Sequence, residues 1–435
     1  MACQSSGSSA KRAASPICHT SGLSWDFSAI NQVPTMNKNS LANLRRFALH
    51  IGLALLAAST VGLSACGGDS DTSSTERSVA SLRLIGQQVL PRRMDFQGTV
   101  VGGLSGIDYD AANNRYTLVS DDRTTGDSAN PPRMYTANIN FDASNFASVR
   151  FLSTFQMRQP NGAAYPKVPD PLVADPEGVR LDPVNGNLVW VSEGDRTLTS
   201  TPTRIINPFI REITSAGNHV REYTLPVIFA MSSSNVGPRG NAVFEGLAFT
   251  PDRSRLLVLM EGPLFQDGQP PSLTTGSSSR LTAFDRVSGT PIAQYAYPID
   301  VVQAAPVPAD QFTVNGPTEI LALSNTRFLV LERSFSVGVV GNQVRLYEID
   351  ISNATNVLNT AALMGAAVTP VTKRLVLDFN TLAAQLGGIA NLEGMTFGPR
   401  LPNGRESLVV VADDNFPTAD SATDRNQFLV FEIVP

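Results

Sequence analysis

Leu104-Ser-Gly-Ile-Asp-Tyr-Asp110 returns four more times along the chain in related form. The related segments are Pro176-Glu-Gly-Val-Arg-Leu-Asp182, Phe244-Glu-Gly-Leu-Ala-Phe-Thr250, Thr318-Glu-Ile-Leu-Ala-Leu-Ser324 and Leu392-Glu-Gly-Met-Thr-Phe-Gly398. The second residues of the five segments align at steps of 72, 68, 74 and 74, and they are Ser105, Glu177, Glu245, Glu319 and Glu393. Steps so nearly equal indicate an internal repeat.

A second apolar run follows each segment after a turn rich in Asp, Pro, Asn or Gly. These runs span residues 116–120, 188–192, 256–260, 328–331 and 408–412. They are short and rich in Val and Leu, which is typical of strands buried on both faces. A third and a fourth run follow, for example residues 344–349 and 374–379 in the fourth copy. Four strands per repeat without a convincing helix predict an all-β fold, a β-propeller of five blades.

The two ends of the chain predict how the ring closes. The fifth copy ends with its third strand, residues 428–434, and Ser81 to Leu90 resembles the fourth strands of other copies. An isolated blade exposes both faces, so the blades have to form a ring. We therefore expect the N-terminal strand to complete the last blade. Six blades is the alternative, if residues 196–240 contain a divergent blade.

A targeting segment precedes the repeats. Basic residues at 38, 45 and 46 are followed by an apolar run, Ile51 to Leu63, which is shorter than the about twenty residues of a membrane-spanning helix. Leu63-Ser-Ala-Cys66 then resembles a bacterial lipobox, and Met36 stands directly before the basic residues. We expect Met36 to be the true start and Cys66 to carry a lipid.

The expected domain organisation follows from these features. Residues 1–35 lie upstream of the true start, 36–65 form a lipoprotein signal peptide, 66–79 form the lipidated cysteine and a flexible linker, and 80–435 form the propeller. The expected location is outside the cytoplasm, anchored at the periplasmic or surface face of the outer membrane. The net charge of -5 argues against nucleic acid as a partner, and we expect a monomer.

Acidic residues recur at one end of the predicted barrel, because the residue entering the first strand and the residue leaving the second lie at the same end. The entering positions are Glu177, Glu245, Glu319 and Glu393, with Ser105 as the exception. The leaving positions are Asp121, Asp122, Glu193, Glu261, Glu332, Asp413 and Asp414. The sequence thus predicts a ring of about ten carboxylates around one mouth of the central channel.

So many like charges require a positive partner. Ca²⁺, a hard cation with six to eight oxygen ligands, fits such a ring, and an exported protein meets it freely. We expect Asp121, Asp122, Arg123 and Arg333 to act in catalysis and the remaining acidic residues of the ring to act as metal ligands. Arginines also recur beyond the second strand at 123, 196 and 333, where they can neutralise carboxylates or bind a phosphate.

Two other interpretations of these carboxylates stay open. The entering glutamates can accept backbone hydrogen bonds from the neighbouring blade and serve only to hold the ring together. The leaving aspartates can be ordinary solvated loop residues. Several enzyme classes are excluded more firmly, because His219 is the only histidine after Cys66 and no Gly-x-Ser-x-Gly or Gly-x-x-x-x-Gly-Lys motif occurs.

Four stretches carry a resemblance to a known family: Leu104 to Tyr109 with Val119-Ser-Asp-Asp-Arg123, Asp175-Pro-Glu-Gly-Val179 with Val191-Ser-Glu-Gly-Asp195, Phe244 to Phe249, and Leu392 to Phe397. They resemble the phytase-like family, described by the esterase-like activity of phytase, over nearly all of residues 85–434. The resemblance implies phosphomonoester hydrolysis with phytate as the model substrate, and ester hydrolysis as a side activity. The β-propeller phytases use Ca²⁺ at the mouth of a six-bladed channel, and the five repeats here depart from that count.

The expected function is therefore Ca²⁺-dependent hydrolysis of a small phosphoester or ester substrate at the acidic mouth. One alternative is a non-catalytic propeller that binds a ligand or a partner at the membrane. The other is an esterase or lactonase.

Overall fold

A computed structural model describes residues 76–123, 130–421 and 423–435 of the chain. The predicted signal peptide and the lipidation site at Cys66 lie outside the described residues. Among the described residues, no helix has the length and apolar character needed to cross a bilayer. The folded part of the chain begins before the predicted end of the linker at residue 79. The backbone nitrogen of Arg77 donates a hydrogen bond to the carbonyl of Leu323, and Val79 is buried in the core.

The chain enters with a strand and a small hairpin and then forms the first blade. These elements are β1 (Ser81–Val89), β2 (Asp95–Phe96), β3 (Thr99–Val100), β4 (Gly106–Asp110), β5 (Arg115–Ser120), β6 (Arg133–Phe141) and β7 (Phe146–Gln156). Strands β4 to β7 pair in sequence order as one antiparallel sheet.

The second blade contains an inserted hairpin. Its elements are β8 (Pro176–Leu181), β9 (Leu188–Ser192), β10 (Asp195–Thr197), β11 (Arg204–Ile206), β12 (Phe209–Ile213) and β13 (His219–Glu222). The blade is the sheet β8-β9-β12-β13, and β10 pairs only with β11. The segment 196–240 therefore supplies the outer strands of blade two and does not form a sixth blade.

The remaining blades follow the simple order. Blade three is β14 (Phe244–Phe249), β15 (Arg255–Met260), β16 (Ser277–Asp285) and β17 (Pro291–Ile299); blade four is β18 (Thr313–Ala322), β19 (Arg327–Ser336), β20 (Gln343–Asp350) and β21 (Thr372–Asp378); blade five begins with β22 (Asn391–Phe397), β23 (Ser407–Asp413) and β24 (Gln427–Val434). The helical turns are short: 3-10 turns at Val227–Phe229, Phe265–Asp267 and Phe379–Leu382, and α1 at Ala383–Leu386.

Strand β1 completes the fifth blade. It pairs antiparallel with β24 from Ser81 opposite Val434 to Val89 opposite Gln427. The sheet order is β1-β24-β23-β22. The prediction of a five-bladed propeller closed by the N-terminal strand is confirmed.

Apolar clusters fill the spaces between neighbouring blades. Leu331 of blade four packs with Val410 of blade five in one cluster, and the other four interfaces among the described residues have equivalent clusters. All seven residues of β23 are buried, whereas the outer strand β21 is partly exposed. Because each cluster draws on two blades, the apolar surface of a blade is buried only in the closed ring.

The inner strands approach each other so closely that glycine is required between them. A Cβ atom on Gly178 would lie 2.3 Å from the carbonyl oxygen of Glu245. A Cβ atom on Gly246 would lie 2.5 Å from the backbone nitrogen of Ile320. The Glu-Gly pair of the repeat therefore combines a polar side chain at the mouth with a backbone that the next blade can contact.

Candidate metal and substrate site at the propeller mouth

A cavity of about 510 Å³ opens where the inner strands begin. Most of the acidic residues that line it are members of the predicted ring; they are Asp121, Glu177, Glu193, Glu245, Glu261, Glu393 and Asp413. Arg123 and Arg333 are its basic lining residues. The structure thus brings seven predicted carboxylates and both predicted arginines to one site.

Backbone irregularities position the inner glutamates. The pairing of β8 with β9 shifts register between Pro176 and Val179, and the pairing of β22 with β23 shifts between Leu392 and Gly394. Blade three has the same shift between Phe244 and Leu247. A β-bulge re-aims the side chain of its extra residue, and each of these shifts contains the glutamate of the repeat.

Blade four departs from the sequence alignment by one residue. Glu319 pairs with Leu331, and the register shift lies between Pro317 and Glu319, so that Thr318 is the bulged residue. The carbonyls of Ile320, Ile107 and Met395 all accept hydrogen bonds from Arg180. In the sequence alignment the equivalent of Ile107 and Met395 is Leu321, one residue after Ile320. The prediction that Glu319 is equivalent to the other inner glutamates is wrong.

The same shift changes the second strand of blade four. Glu332 lies opposite Pro317, as Ser192 lies opposite Pro176 in blade two. Arg333 therefore occupies the place that Glu193 has in blade two. The ring of acidic side chains therefore contains an arginine at the fourth blade.

Glu332 and Glu319 consequently lie outside the cavity lining. Glu332 accepts a hydrogen bond from Lys373 Nζ at 2.6 Å and another from Tyr297 Oη at 2.9 Å. Glu319 Oε2 lies 2.9 Å from Arg180 Nη2. Both carboxylates have a basic partner within the fold, which argues against their predicted roles as metal ligands.

Asp122 and Asp414 are also directed away from the cavity. Asp122 Oδ2 lies 2.7 Å from Arg133 Nη1, and both side chains are buried. Asp414 accepts hydrogen bonds from the backbone nitrogen of Gly103 at 2.9 Å and from Asn426 Nδ2 at 2.8 Å. These contacts hold the loops around the mouth and leave the cavity to Asp121 and Asp413.

Each of the two lining arginines contacts carboxylates of the ring. Arg123 Nε lies 2.5 Å from Asp175 Oδ1. Arg333 Nη2 lies 3.0 Å from Glu393 Oε1 and 3.3 Å from Glu261 Oε1. The Nε atom of Arg333 is buried and donates to no acceptor among the described residues.

Arg196 does not join them. Its Nε donates to the carbonyl of Ser232 at 2.7 Å, and its guanidinium stacks over the ring of Phe265. The arginine that recurs in the second repeat therefore supports a loop.

Asp175 belongs to the site, although the sequence pattern did not predict it as a catalytic residue or metal ligand. It is only 2% exposed, and its Oδ2 has no hydrogen-bond donor among the described residues. Asp121 Oδ1 lacks a donor in the same way. The available signal was position, because Asp175 directly precedes the Pro-Glu-Gly segment that enters the mouth.

Asp175 and the seven lining carboxylates are referred to below as the mouth cluster. Burial, and then repulsion from neighbouring carboxylates, raise the pKa of Glu177 and Glu245 well above the usual range. The pKa of Glu193 is raised to about 7 by burial and by Glu261. The pKa of Glu393 is also raised to about 7, by burial, although Arg333 opposes the shift. The two arginines therefore do not compensate the eight carboxylates, and the cluster has to take up protons or a cation.

Two groups within the mouth cluster have the geometry of cation sites. Oxygen atoms of Asp121, Asp175 and Glu177 lie within 4.8 Å of one another, and so do oxygen atoms from a second triad of glutamates, Glu193, Glu245 and Glu261. Buried carboxylate oxygens without donors are the hard ligands that Ca²⁺ prefers. The residues present therefore fit a Ca²⁺ site.

Arg180 closes the channel beneath the cluster. Its guanidinium donates to the carbonyls of Ile107, Ile320 and Met395 at 2.7 to 3.0 Å, which belong to blades one, four and five. It also lines a separate cavity of about 190 Å³ at the other end. The mouth cluster is thus reached from one side of the propeller.

Solved structures of several proteins are similar to this chain. An endo-1,4-beta-xylanase from Bacteroides thetaiotaomicron VPI-5482 matches at 11% identity with a TM-score of 0.41, covering 75% of this chain and 90% of that one. An aldose sugar dehydrogenase from Streptomyces coelicolor, in its PQQ-bound form, matches at 16% identity with a TM-score of 0.34, covering 80% and 82%. No curated protein matches the sequence.

One family matches most of the propeller. Residues 99–416 match the phytase-like family, described as having the esterase-like activity of phytase. This match extends from the hairpin before blade one to the loop after β23 and includes every member of the mouth cluster. The chain therefore belongs to the phytase-like family.

Proposed function

We propose that this protein is an exported hydrolase that cleaves phosphoesters with Ca²⁺ at the acidic mouth of the propeller. The observation that carries the proposal is the convergence of eight carboxylates, seven of them buried, at one open cavity that is lined by two arginines. Membership of the phytase-like family supports it. Structural ion pairs do not require such an excess of one sign.

The two carboxylate triads are the proposed ligands. Bound there, Ca²⁺ would supply Lewis-acid polarisation of the phosphoryl group and a more acidic water. Asp121, Asp175 and Glu177 form the triad beside Arg123. Arg333, which lines the cavity beside Glu261 and Glu393, is the proposed ligand of a phosphate oxygen.

Glu393 is suited to carry a proton in this reaction. Its Oε1 accepts hydrogen bonds from Asn391 Nδ2 at 2.9 Å and from Arg333 Nη2 at 3.0 Å, while Oε2 accepts none from the described residues. Its pKa of about 7 lets it exchange a proton at Oε2 near neutral pH.

The proposal is tested by turnover of p-nitrophenyl phosphate with Ca²⁺ and then with EGTA. We expect EGTA to abolish turnover and Glu177→Gln to lower it by about tenfold or more, as loss of a ligand does. Glu222→Gln is the matched control, because Glu222 is exposed and pairs only with Arg211. Turnover that persists in EGTA would contradict the metal, and no turnover under either condition would contradict the phosphoesterase.

A second candidate is hydrolysis of carboxylic esters or lactones at the same site. The family description names an esterase-like activity, and an uncharged ester does not require the arginines that a phosphate does. Hydrolysis of p-nitrophenyl acetate without that of p-nitrophenyl phosphate would favour it. Stabilisation by Ca²⁺ without turnover of either ester would instead favour the non-catalytic binding propeller.

We also propose that the protein is anchored through a lipid on Cys66, at the outer membrane. The lipobox-like Leu63-Ser-Ala-Cys66 supports this. Fractionation of cells that express the wild type and Cys66→Ser tests it. Recovery of both forms in the same membrane fraction would contradict the anchor.

A further inference from the structure

One wall of the mouth cavity is apolar. Phe312, Val314 and Phe335 line it, although the rest of the lining is mostly charged or amide. Phe312 is 63% exposed. The rings of Phe312 and Phe335 lie 6.4 Å apart, centroid to centroid, at an interplanar angle of 41°. These side chains are defined here as the apolar wall.

The apolar wall stands at the open end of the β18–β19 strand pair. Strands β18 and β19 continue past the mouth, with Val314 opposite Phe335 and Thr313 opposite Ser336. The backbone nitrogen of Val337 then donates to the carbonyl of Phe312 at 3.1 Å. Directly opposed residues share one face of a sheet, and so does the residue two positions earlier. The pairing therefore holds all three side chains on the face that borders the cavity.

The lining of the cavity offers few basic side chains to a polyanionic ligand. The mouth cluster contains eight carboxylates, and Arg123 and Arg333 are the basic residues that line the cavity. Both already contact carboxylates of the cluster. Ca²⁺ bound at the triads would compensate one reacting phosphate, but further phosphates of the same ligand would lie against the apolar wall, whose side chains offer neither charge nor hydrogen bond.

We infer that the site takes esters with one hydrolysable group on an apolar, preferably aromatic, body, and that it discriminates against polyphosphorylated compounds such as phytate. This inference rests on the proposed function, because it names the substrate class of the same site. The reacting group lies against the mouth cluster and the body packs on the apolar wall. A cavity of about 510 Å³ accommodates one such ring.

The activity test compares three substrates: phenyl phosphate, glycerol phosphate and phytate. We expect the wild type to prefer phenyl phosphate, measured as kcat/KM. Phe312→Ser should lower kcat/KM for phenyl phosphate about tenfold, as loss of apolar contact in a binding site does, and leave glycerol phosphate nearly unchanged. Val287→Ser is the control, since Val287 is 72% exposed in the turn after β16. A higher kcat/KM for phytate than for phenyl phosphate would overturn the inference. An unchanged ratio of kcat/KM between phenyl phosphate and glycerol phosphate in Phe312→Ser would do the same.

A binding test separates this inference from the proposed function. In Ca²⁺, phenylphosphonate should raise the melting temperature of the wild type more than methylphosphonate, and Phe312→Ser should lose the difference. A protein that cleaves no ester but shows this difference refutes the proposed function and supports the apolar wall as a ligand contact. Equal shifts from the two phosphonates, or a difference that Phe312→Ser retains, overturn the inference whatever the activity. Circular dichroism of both variants verifies that they are folded.

Discussion

The inner strands of the propeller carry buried charge at two levels. The levels differ in how far arginine side chains compensate the carboxylates. At the lower level, Arg180 faces Glu319 at 2.9 Å and donates to backbone carbonyls of four blades. At the upper level, the mouth cluster has eight carboxylates and two arginines. The lower level pairs its one carboxylate with one arginine, although burial still raises the pKa of Glu319 to about 7. The upper level requires protons or a cation from outside, and this difference separates a structural charge from a candidate site.

The comparison also divides the inner glutamates, which the sequence presents as equivalent. Glu319 accepts hydrogen bonds from the backbone nitrogens of Ile320 at 3.0 Å and of Met395 in the next blade at 3.5 Å. It therefore acts as the inter-blade contact that was one interpretation of the repeat. The carboxylates of Glu177 and Glu245 accept no such bonds from the described residues, and both line the cavity.

Opening the ring should have the largest effect, because it removes the support of both levels. Deletion through residue 91 removes β1 and leaves β24 without the nine-residue partner that completes blade five. We expect loss of cooperative thermal unfolding, measured by circular dichroism. A chain that begins at residue 76 is the matched control, because it keeps every described strand. Equal melting temperatures for the two chains would contradict closure by β1.

Breaking the lower level should have the next largest effect. Arg180→Met removes one partner of a buried pair and leaves Glu319 uncompensated, which costs about 3 to 5 kcal/mol. Adding Glu319→Gln should restore part of the loss. Denaturant unfolding measures both. Arg83→Met is the control, since Arg83 forms an ion pair with Glu432 at a half-exposed position. Equal losses from the two arginine variants would show that Arg180 has no special role at the axis.

Removing a carboxylate from the upper level should raise the free energy of unfolding when metal is absent, whereas Arg180→Met lowers it. Glu245→Gln removes one charge from the mouth cluster, where burial and neighbouring glutamates raise its pKa. In EGTA at pH 8 we expect a gain of about 1 kcal/mol in the free energy of unfolding. In Ca²⁺ the variant should gain less than the wild type, because it binds the ion more weakly. A variant that Ca²⁺ stabilises as much as the wild type would remove Glu245 from the metal site.

The pH dependence tests the charge of the mouth cluster without breaking a contact. Glu193 and Glu393 have folded-state pKa values of about 7, above the 4.5 of an ordinary glutamate. The folded protein then binds protons more tightly than the unfolded chain, so the free energy of unfolding falls as pH rises from about 4.5 to about 7. The contribution is on the order of 1 kcal/mol per pH unit and group.

Thermal unfolding in EGTA between pH 5.5 and pH 8 measures this slope. The double variant Glu193→Gln with Glu393→Gln should show a shallower slope, because two of the titrating groups are gone. An identical slope would place the titration elsewhere. Saturating Ca²⁺ should also flatten the slope of the wild type, since a bound cation compensates the same charges.

Fold and site could be predicted from the sequence to different extents. The blade count, the strand order and the closing strand follow from local repeats, because each blade is one supersecondary unit with its own pattern. The site depended on alignment of those repeats, which failed in blade four. There the bulge falls on Thr318, and the pattern of letters Thr-Glu-Ile in place of Pro-Glu-Gly was the signal of that shift.

The sequence by itself determined that five similar units form a closed ring with carboxylates at one mouth, because period, apolar alternation and residue type are local properties. Only the tertiary structure decided which carboxylates face the cavity. It turned Asp122 toward Arg133, paired Glu319 with Arg180, put Arg333 into the ring and brought Asp175 beside Asp121. The physical reason is that compensation of a buried charge depends on neighbours from other blades, and a one-residue shift in strand register changes those neighbours.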